Sequence, residues 1–275
     1  MFSIARKLRR EAKAVGFVPT MGALHAGHLK LVEEARQRCD VLIVSIFVNP
    51  TQFNNASDLE NYPRDLTADA AMLAEHSVDY IYAPDVDEVY PEGFATYVNV
   101  EGLTDTMEGA ARPGHFRGVA TVVTILFNTI RPDIAFFGQK DAQQVAVIKR
   151  LTRDLGFETE IVVMPTVREE SGLAMSSRNE RLSAEGRERA AVIIEALREA
   201  KTAFKKGERN AADLAEIVRN RVATEPAATL DYVAVVDRDS LQAIEKIGDG
   251  ETLIAVAVEI EGVRLIDNVI LNRKQ

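Results

Sequence analysis

A single cysteine, Cys39, stands in 275 residues. One thiol excludes an intramolecular disulfide framework and fits a reducing compartment. Histidine is scarce as well: His25, His28, His76 and His115 are the only four, and with Cys39 they show no usual zinc-ligand spacing. Basic charge is not in excess. Lys and Arg total 33 against 42 Asp and Glu, a net charge of -9, so neither half of the chain is a basic nucleic-acid surface. No apolar run approaches membrane-spanning length, and residues 1–13, with Arg6, Lys7, Arg9 and Arg10, lack the apolar core of a secretory signal. These absences lead us to expect a cytoplasmic protein that binds neither nucleic acid nor membrane. No G-x-G-x-x-G follows the first apolar run, which argues against a dinucleotide dehydrogenase.

What is present suits a large globular protein, since 47% of the residues are hydrophobic. Short apolar runs without clean alternation, at 15–20, 41–48, 79–83, 134–137 and 159–164, read as strands buried on both faces. Helical patterns at 29–38, 66–75, 119–130 and 142–155 lie between them. This alternation predicts a Rossmann-like parallel sheet flanked by helices. The pattern then changes. Amphipathic stretches at 184–204 and 211–224 precede strands at 230–236, 252–260 and 263–271, the last two flanking a Glu261-Gly262 turn. We therefore expect an α/β domain over 1–175 and a smaller C-terminal α+β domain over 176–275.

Open parallel sheets gather ligands on the loops after their strands, and four such loops carry chemistry. The first, Val18-Pro19-Thr20-Met21-Gly22-Ala23-Leu24-His25-Ala26-Gly27-His28, opens a helix whose free N–H groups and positive dipole end suit a phosphate. Gly22 and Gly27 admit a bulky ligand to the main chain, and His25 and His28, three apart, share a face if both are helical. In the second loop, Asn49-Pro50-Thr51-Gln52-Phe53-Asn54, the amides suit a hydroxy acid; a simple polar turn explains the same residues equally well. Gly138-Gln139-Lys140-Asp141 and Gln143-Gln144 form the third, with Lys140 for phosphate and Asp141 for ribose or for a helix start. The fourth, Met175-Ser176-Ser177-Arg178-Asn179, offers two hydroxyls and a guanidinium to a triphosphate, or else merely caps a helix.

Taken together with Tyr62-Pro63-Arg64, these loops resemble, in order and over most of the chain, the pantothenate synthetase (pantoate:β-alanine ligase) family of the nucleotidyltransferase superfamily. That resemblance implies an ATP-dependent ligase in which pantoate and ATP give pantoyl adenylate and pyrophosphate, after which β-alanine displaces AMP. By position, His28 and His25, with Lys140 and Arg178, match the catalytic set. Met21, His28, Gly138, Lys140, Asp141, Val167, Met175, Ser176, Ser177 and Arg178 match ATP contacts. Gln52, Gln144 and Tyr62 match the pantoate pocket, of which Met21 is a further wall. Magnesium is implied as the partner of ATP, with Asp69 the one acidic residue matching a metal-associated position; Ala68 and Met72 stand where some relatives carry ligands. Gln139 stands where many members have Glu, and little precedes Val15, so the family's initial strand is expected to be absent or displaced. A homodimer through the larger domain is implied, and the apolar 119–130 helix adds a physical motive. The 176–178 segment would then belong to a mobile lid. Transfer of a nucleotide to a small phosphorylated acceptor, or ATP sensing without catalysis, are the competing readings.

Overall fold

The computed structural model describes residues 1–272. In chain order, the first half runs α1 (Phe2–Arg10), β1 (Val15–Thr20), α2 (Ala26–Arg38), β2 (Val41–Ile46), α3 (Ala56–Glu60), α4 (Leu66–Glu75), β3 (Tyr80–Tyr82), α5 (Val86–Val89), α6 (Met107–Ala111), α7 (His115–Ile130) and β4 (Ile134–Gly138). It continues with α8 (Ala142–Asp154), β5 (Glu160–Met164), α9 (Ala184–Arg189), α10 (Ala191–Lys205), α11 (Ala211–Val222), β6 (Ala228–Asp237), β7 (Thr252–Ile260) and β8 (Val263–Leu271).

The first five strands form one parallel sheet in the order β3-β2-β1-β4-β5. Its central strands are Val-, Ile- and Phe-rich because helices cover both faces, and Phe17, Leu42, Ile43 and Phe136 are fully buried. Aspartates hold the strand entries: Asp133 accepts from Val15 N at 2.7 Å, and Asp79 from Leu42 N at 2.7 Å. Gly16 is required by packing. A Cβ there would fall 2.6 Å from Cys39 Sγ. The Cys39 thiol is half-buried and donates to Ala35 O at 3.0 Å, and burial pushes its pKa up. An inert thiol results.

Met1–Gln139 and Val147–Pro165 make one compact unit, while Lys140–Ala146 and the chain from Thr166 onward make a second. The boundary expected at 175 therefore lies inside the second unit. That unit holds the antiparallel sheet β6-β7-β8 and, in its core, Ile193, Leu197, Leu214, Val218, Ile254 and Val256. Glu261 and Gly262 both have positive φ, 52° and 73°, as a two-residue hairpin turn demands.

Residues 2–10 are a helix, with Ala5 and Leu8 buried, an element that the sequence reading did not name, and among the described residues no strand precedes β1. Two expectations need correction. The 184–204 stretch breaks at buried Ala190, the shared cap of α9 and α10. The apolar surface of α7 is also already covered. Val119, Ala120, Val123, Leu126, Phe127 and Ile130 are each at most 5% exposed within the single chain, so the physical motive for a dimer along this helix disappears. Among the described residues, no helix is long and apolar enough to cross a membrane.

Candidate active site

In the β3-β2-β1-β4-β5 order the chain direction of the sheet's growth reverses between β1 and β4, which opens a crevice outside their carboxyl ends. The loops carrying Met21 to His28 and Gly138 leave from those two strands. In the first unit, Thr20 Oγ1 donates to Ser45 O at 2.7 Å and accepts from Gly22 N at 3.2 Å, so the exit from β1 is tied to β2. Gly22 and Ala23 then take left-handed backbone, φ 81° and 49°. Their turn delivers His25 to the N-cap of α2.

The two histidines do not share a helix face as expected: His25 caps α2, and His28 lies in its first turn. The rings are nonetheless brought together, their centroids 4.1 Å apart. His25 Nδ1 accepts from Gly27 N at 3.1 Å, and His28 Nδ1 accepts from His25 N at 3.4 Å, a reciprocal cap in which imidazoles replace the usual Ser and Glu. An accepting Nδ1 carries no proton. Each neutral ring therefore has its N–H on Nε2, which makes Nε2 a donor.

Gln52 ends a short 3-10 turn, Pro50–Gln52, and is only 8% exposed. Asn49 caps this turn and donates to Gln52 Oε1 at 3.0 Å and Gly118 O at 3.1 Å; Gln52 Nε2 reaches Met21 Sδ at 3.0 Å. The Gln52 carbonyl pairs with His115 Nδ1 at 2.7 Å and accepts from Arg112 at 3.2 Å. Gly118 lets α7 approach, because a Cβ there would meet Thr51 O at 2.6 Å. Asn49, Arg112, His115 and Gly118 thus place Gln52. Sequence reasoning passed over this support because its parts lie some sixty residues apart in the chain.

Tyr62 packs edge-on against Phe53, the ring centroids 5.6 Å apart. Met21 and Gly22 also line a cavity of about 360 Å³ with Phe47, Arg64, Asp65 and Asp69; neither histidine nor Gln52 lines it. Asp69 is 3% exposed and receives Ala23 N at 3.0 Å and Leu24 N at 2.9 Å.

The second unit begins with Lys140. Its ammonium lies 3.8 Å from the Asp141 carboxylate, and its carbonyl accepts from Asn268 Nδ2 at 2.9 Å. Asn268 is buried beside Asp267, whose carboxylate Arg168 grips in a fork at 2.6 and 3.0 Å. Gln144 lies in the first turn of α8, with buried Gln143 before it. Val167 O accepts from Met175 N at 2.9 Å, which sets Val167 and Met175 on one narrow ladder with the Arg168–Ala174 pair.

Ser176 Oγ accepts from Arg178 N at 3.3 Å and caps a 3-10 helix, Ser177–Arg181, so the capping explanation of this motif holds locally. Asn179, 2% exposed, clamps the same loop by donating to Glu169 Oε1 at 2.6 Å and Ala174 O at 3.0 Å. Ser176, Ser177 and Arg178 stay partly exposed. Hydroxyls and a guanidinium held this way suit phosphate oxygens.

Residues 1–270 match the family model described as pantoate-beta-alanine ligase. The pantothenate synthetase of Carboxydothermus hydrogenoformans is 53% identical, over 96% of this chain and 93% of the relative. Among solved structures, the pantothenate synthetase of Thermus thermophilus superposes with a TM-score of 0.89 at 46% identity, covering 96% of both chains. Pantoate-beta-alanine ligase from Francisella tularensis, solved in complex with beta-gamma ATP and beta-alanine, gives 0.79 at 37% identity, over 98% of this chain and 95% of that one. The chain belongs to the pantoate-beta-alanine ligase family.

Proposed function

We propose that the chain condenses pantoate with β-alanine in two steps at the expense of ATP, with the residues above dividing the work. The pantoate carboxylate attacks the α-phosphorus of ATP, and the bond to pyrophosphate breaks. The β-alanine amine then attacks the acyl carbon of pantoyl adenylate; AMP leaves, and pantothenate remains. No covalent bond to the protein is formed.

The observation that carries this reading is the reciprocal cap of His25 and His28 at the carboxyl end of β1. Both Nδ1 atoms are committed to the backbone, so the Nε2–H donors of the two rings and the start of α2 form a preorganised set for developing phosphate charge. Lys140, Ser176, Ser177 and Arg178 supply cations and hydroxyls for the triphosphate. Gly138 and Asp141 serve the ribose, while Val167 and Met175 serve the adenine through their shared ladder. Gln52 and Gln144 hold pantoate with Met21 and Tyr62 as apolar walls, and the Asn49 bond to Gln52 Oε1 points the amide one way.

A protein-held magnesium does not fit the residues present. Both oxygens of Asp69 face backbone N–H groups, and no three His, Cys, Asp or Glu side chains gather as a cation cage among the described residues. Magnesium is read as arriving with ATP, held by phosphate and water. A homodimer and a cytoplasmic location complete the reading, both resting on the family. Pantoate-dependent exchange of labelled pyrophosphate into ATP, without β-alanine, tests the first step. Exchange that ignores pantoate would overturn it.

A further inference from the structure

We propose that Asp69 is a positioning residue for the histidine corner: its carboxylate holds the Gly22-Ala23 turn in the left-handed backbone that sets His25 on the end of α2. The proposal rests on the ligase reading of that corner. It gives Asp69 a role other than the metal ligation that sequence matching suggests.

Asp69 sits in the first turn of α4, and Asp65 caps that helix by accepting from Ala68 N at 2.9 Å, so the carboxylate projects from a fixed base. It is buried, and its two oxygens are each spent on a separate backbone donor 45 or 46 residues away, Leu24 N on Oδ1 and Ala23 N on Oδ2. Hydrogen bonds to an ionised acceptor are the strong kind. They act where the backbone needs help. Ala23 has φ 49°, a conformation that its Cβ disfavours, and nothing in an alanine side chain compensates. Gly22 before it, φ 81°, is held to glycine twice over, since a Cβ would fall 2.8 Å from Asp69 Oδ2.

Leu24 is the residue directly before His25, so the chain has no slack between the gripped N–H groups and the cap. If Ala23 relaxes to negative φ, the His25 ring leaves Gly27 N and His28 loses the donor on its own Nδ1. The carboxylate thus acts on phosphate chemistry only through the two imidazoles.

Asp69→Asn tests this in the full chain. The isosteric amide keeps one acceptor but turns an NH2 toward a backbone N–H, so kcat for pantoate-dependent pyrophosphate release should fall at least about tenfold, the scale of a buried donor left unpaired. The KM for ATP and the magnesium concentration for half-activation should stay within about twofold. Adding Ala23→Gly, which removes the backbone penalty, should restore part of the lost kcat. Gly22→Ala, which leaves Asp69 in place but crowds its Oδ2, should reproduce the kcat loss and keeps the test open if Asp69→Asn fails to fold. A normal kcat in folded Asp69→Asn or Gly22→Ala overturns the proposal. So does an activity loss that saturating magnesium restores, which would make Asp69 a metal ligand.

Discussion

The two corners of this chain proposed to meet phosphate are built in opposite ways. The His25 and His28 corner is tied by long-range bonds: Thr20 to Ser45, Ala23 and Leu24 to Asp69. The Met175 to Arg178 loop is tied by short-range ones, Ser176 to Arg178 and Asn179 to Ala174. Long-range ties fix a corner to the sheet. Short-range ties shape a loop without bonding it to the sheet. The difference suits two kinds of work. Fixed imidazoles can meet charge developing at one bond, while adaptable donors neutralise a triphosphate wherever it settles.

If that contrast is right, removing a ring from the fixed corner has the largest effect. His28→Ala should cost about 2–4 kcal/mol in the barrier to adenylate formation, a hundredfold or more in kcat, because a preorganised donor is lost. Steady-state pyrophosphate release measures it, with circular dichroism to verify folding; near-normal release would remove His28 from the chemistry.

Gln52→Ala should come next. Its amide is held by Asn49 and sits against Met21, so truncation takes one of its two acceptors from Asn49 Nδ2 and leaves unpaired the pantoate group that the amide is proposed to hold, about 1–3 kcal/mol. The loss should appear in pantoate affinity by calorimetry while ATP affinity holds. Equal loss of both would mean that the Pro50–Gln52 turn has collapsed.

Arg178→Ala, on the short-range loop, should weaken ATP binding about tenfold, the worth of one charge-assisted contact, with a smaller change in kcat than His28→Ala. It should also release AMP from ATP and pantoate without β-alanine, as water reaches the acyl adenylate. A kcat loss matching that of His28→Ala would erase the distinction between the corners.

The smallest effect lies away from both. Glu261 accepts from Ser183 Oγ at 2.6 Å and Ser183 N at 2.8 Å, bonds that hold its carboxyl below the ordinary 4.5. A depressed folded pKa contributes stability above the unfolded value, and that contribution is lost as pH falls through the folded one. The Tm advantage over Glu261→Gln should therefore be present near neutrality and shrink below about pH 4.5. An advantage independent of pH would assign it to packing.

Much of this was legible in the residues because local signals and tertiary structure agree. Strands buried on both faces read as unbroken apolar runs, and Val15–Thr20, Thr252–Ile260 and Val263–Leu271 end where turn residues end them. Motif loops fall after strands, as a parallel sheet requires. What stayed hidden depends on contacts between distant positions. Asp69 looks like any acidic residue in a first helical turn, and only the fold brings Ala23 and Leu24 to it. His115 reads as an unmatched histidine until α7 sets it on the Gln52 carbonyl. The capping role of His25 was concealed by residue type, since imidazole is rarely an N-cap.

The measurement that tests the central reading most directly is AMP release followed with ATP, pantoate and β-alanine, each omitted in turn. The account predicts rapid AMP formation only with all three present, matched mole for mole by pantothenate. Pyrophosphate release with no β-alanine-dependent AMP would contradict it and make the chain a nucleotidyltransferase; unaltered ATP in the complete mixture would contradict it as well.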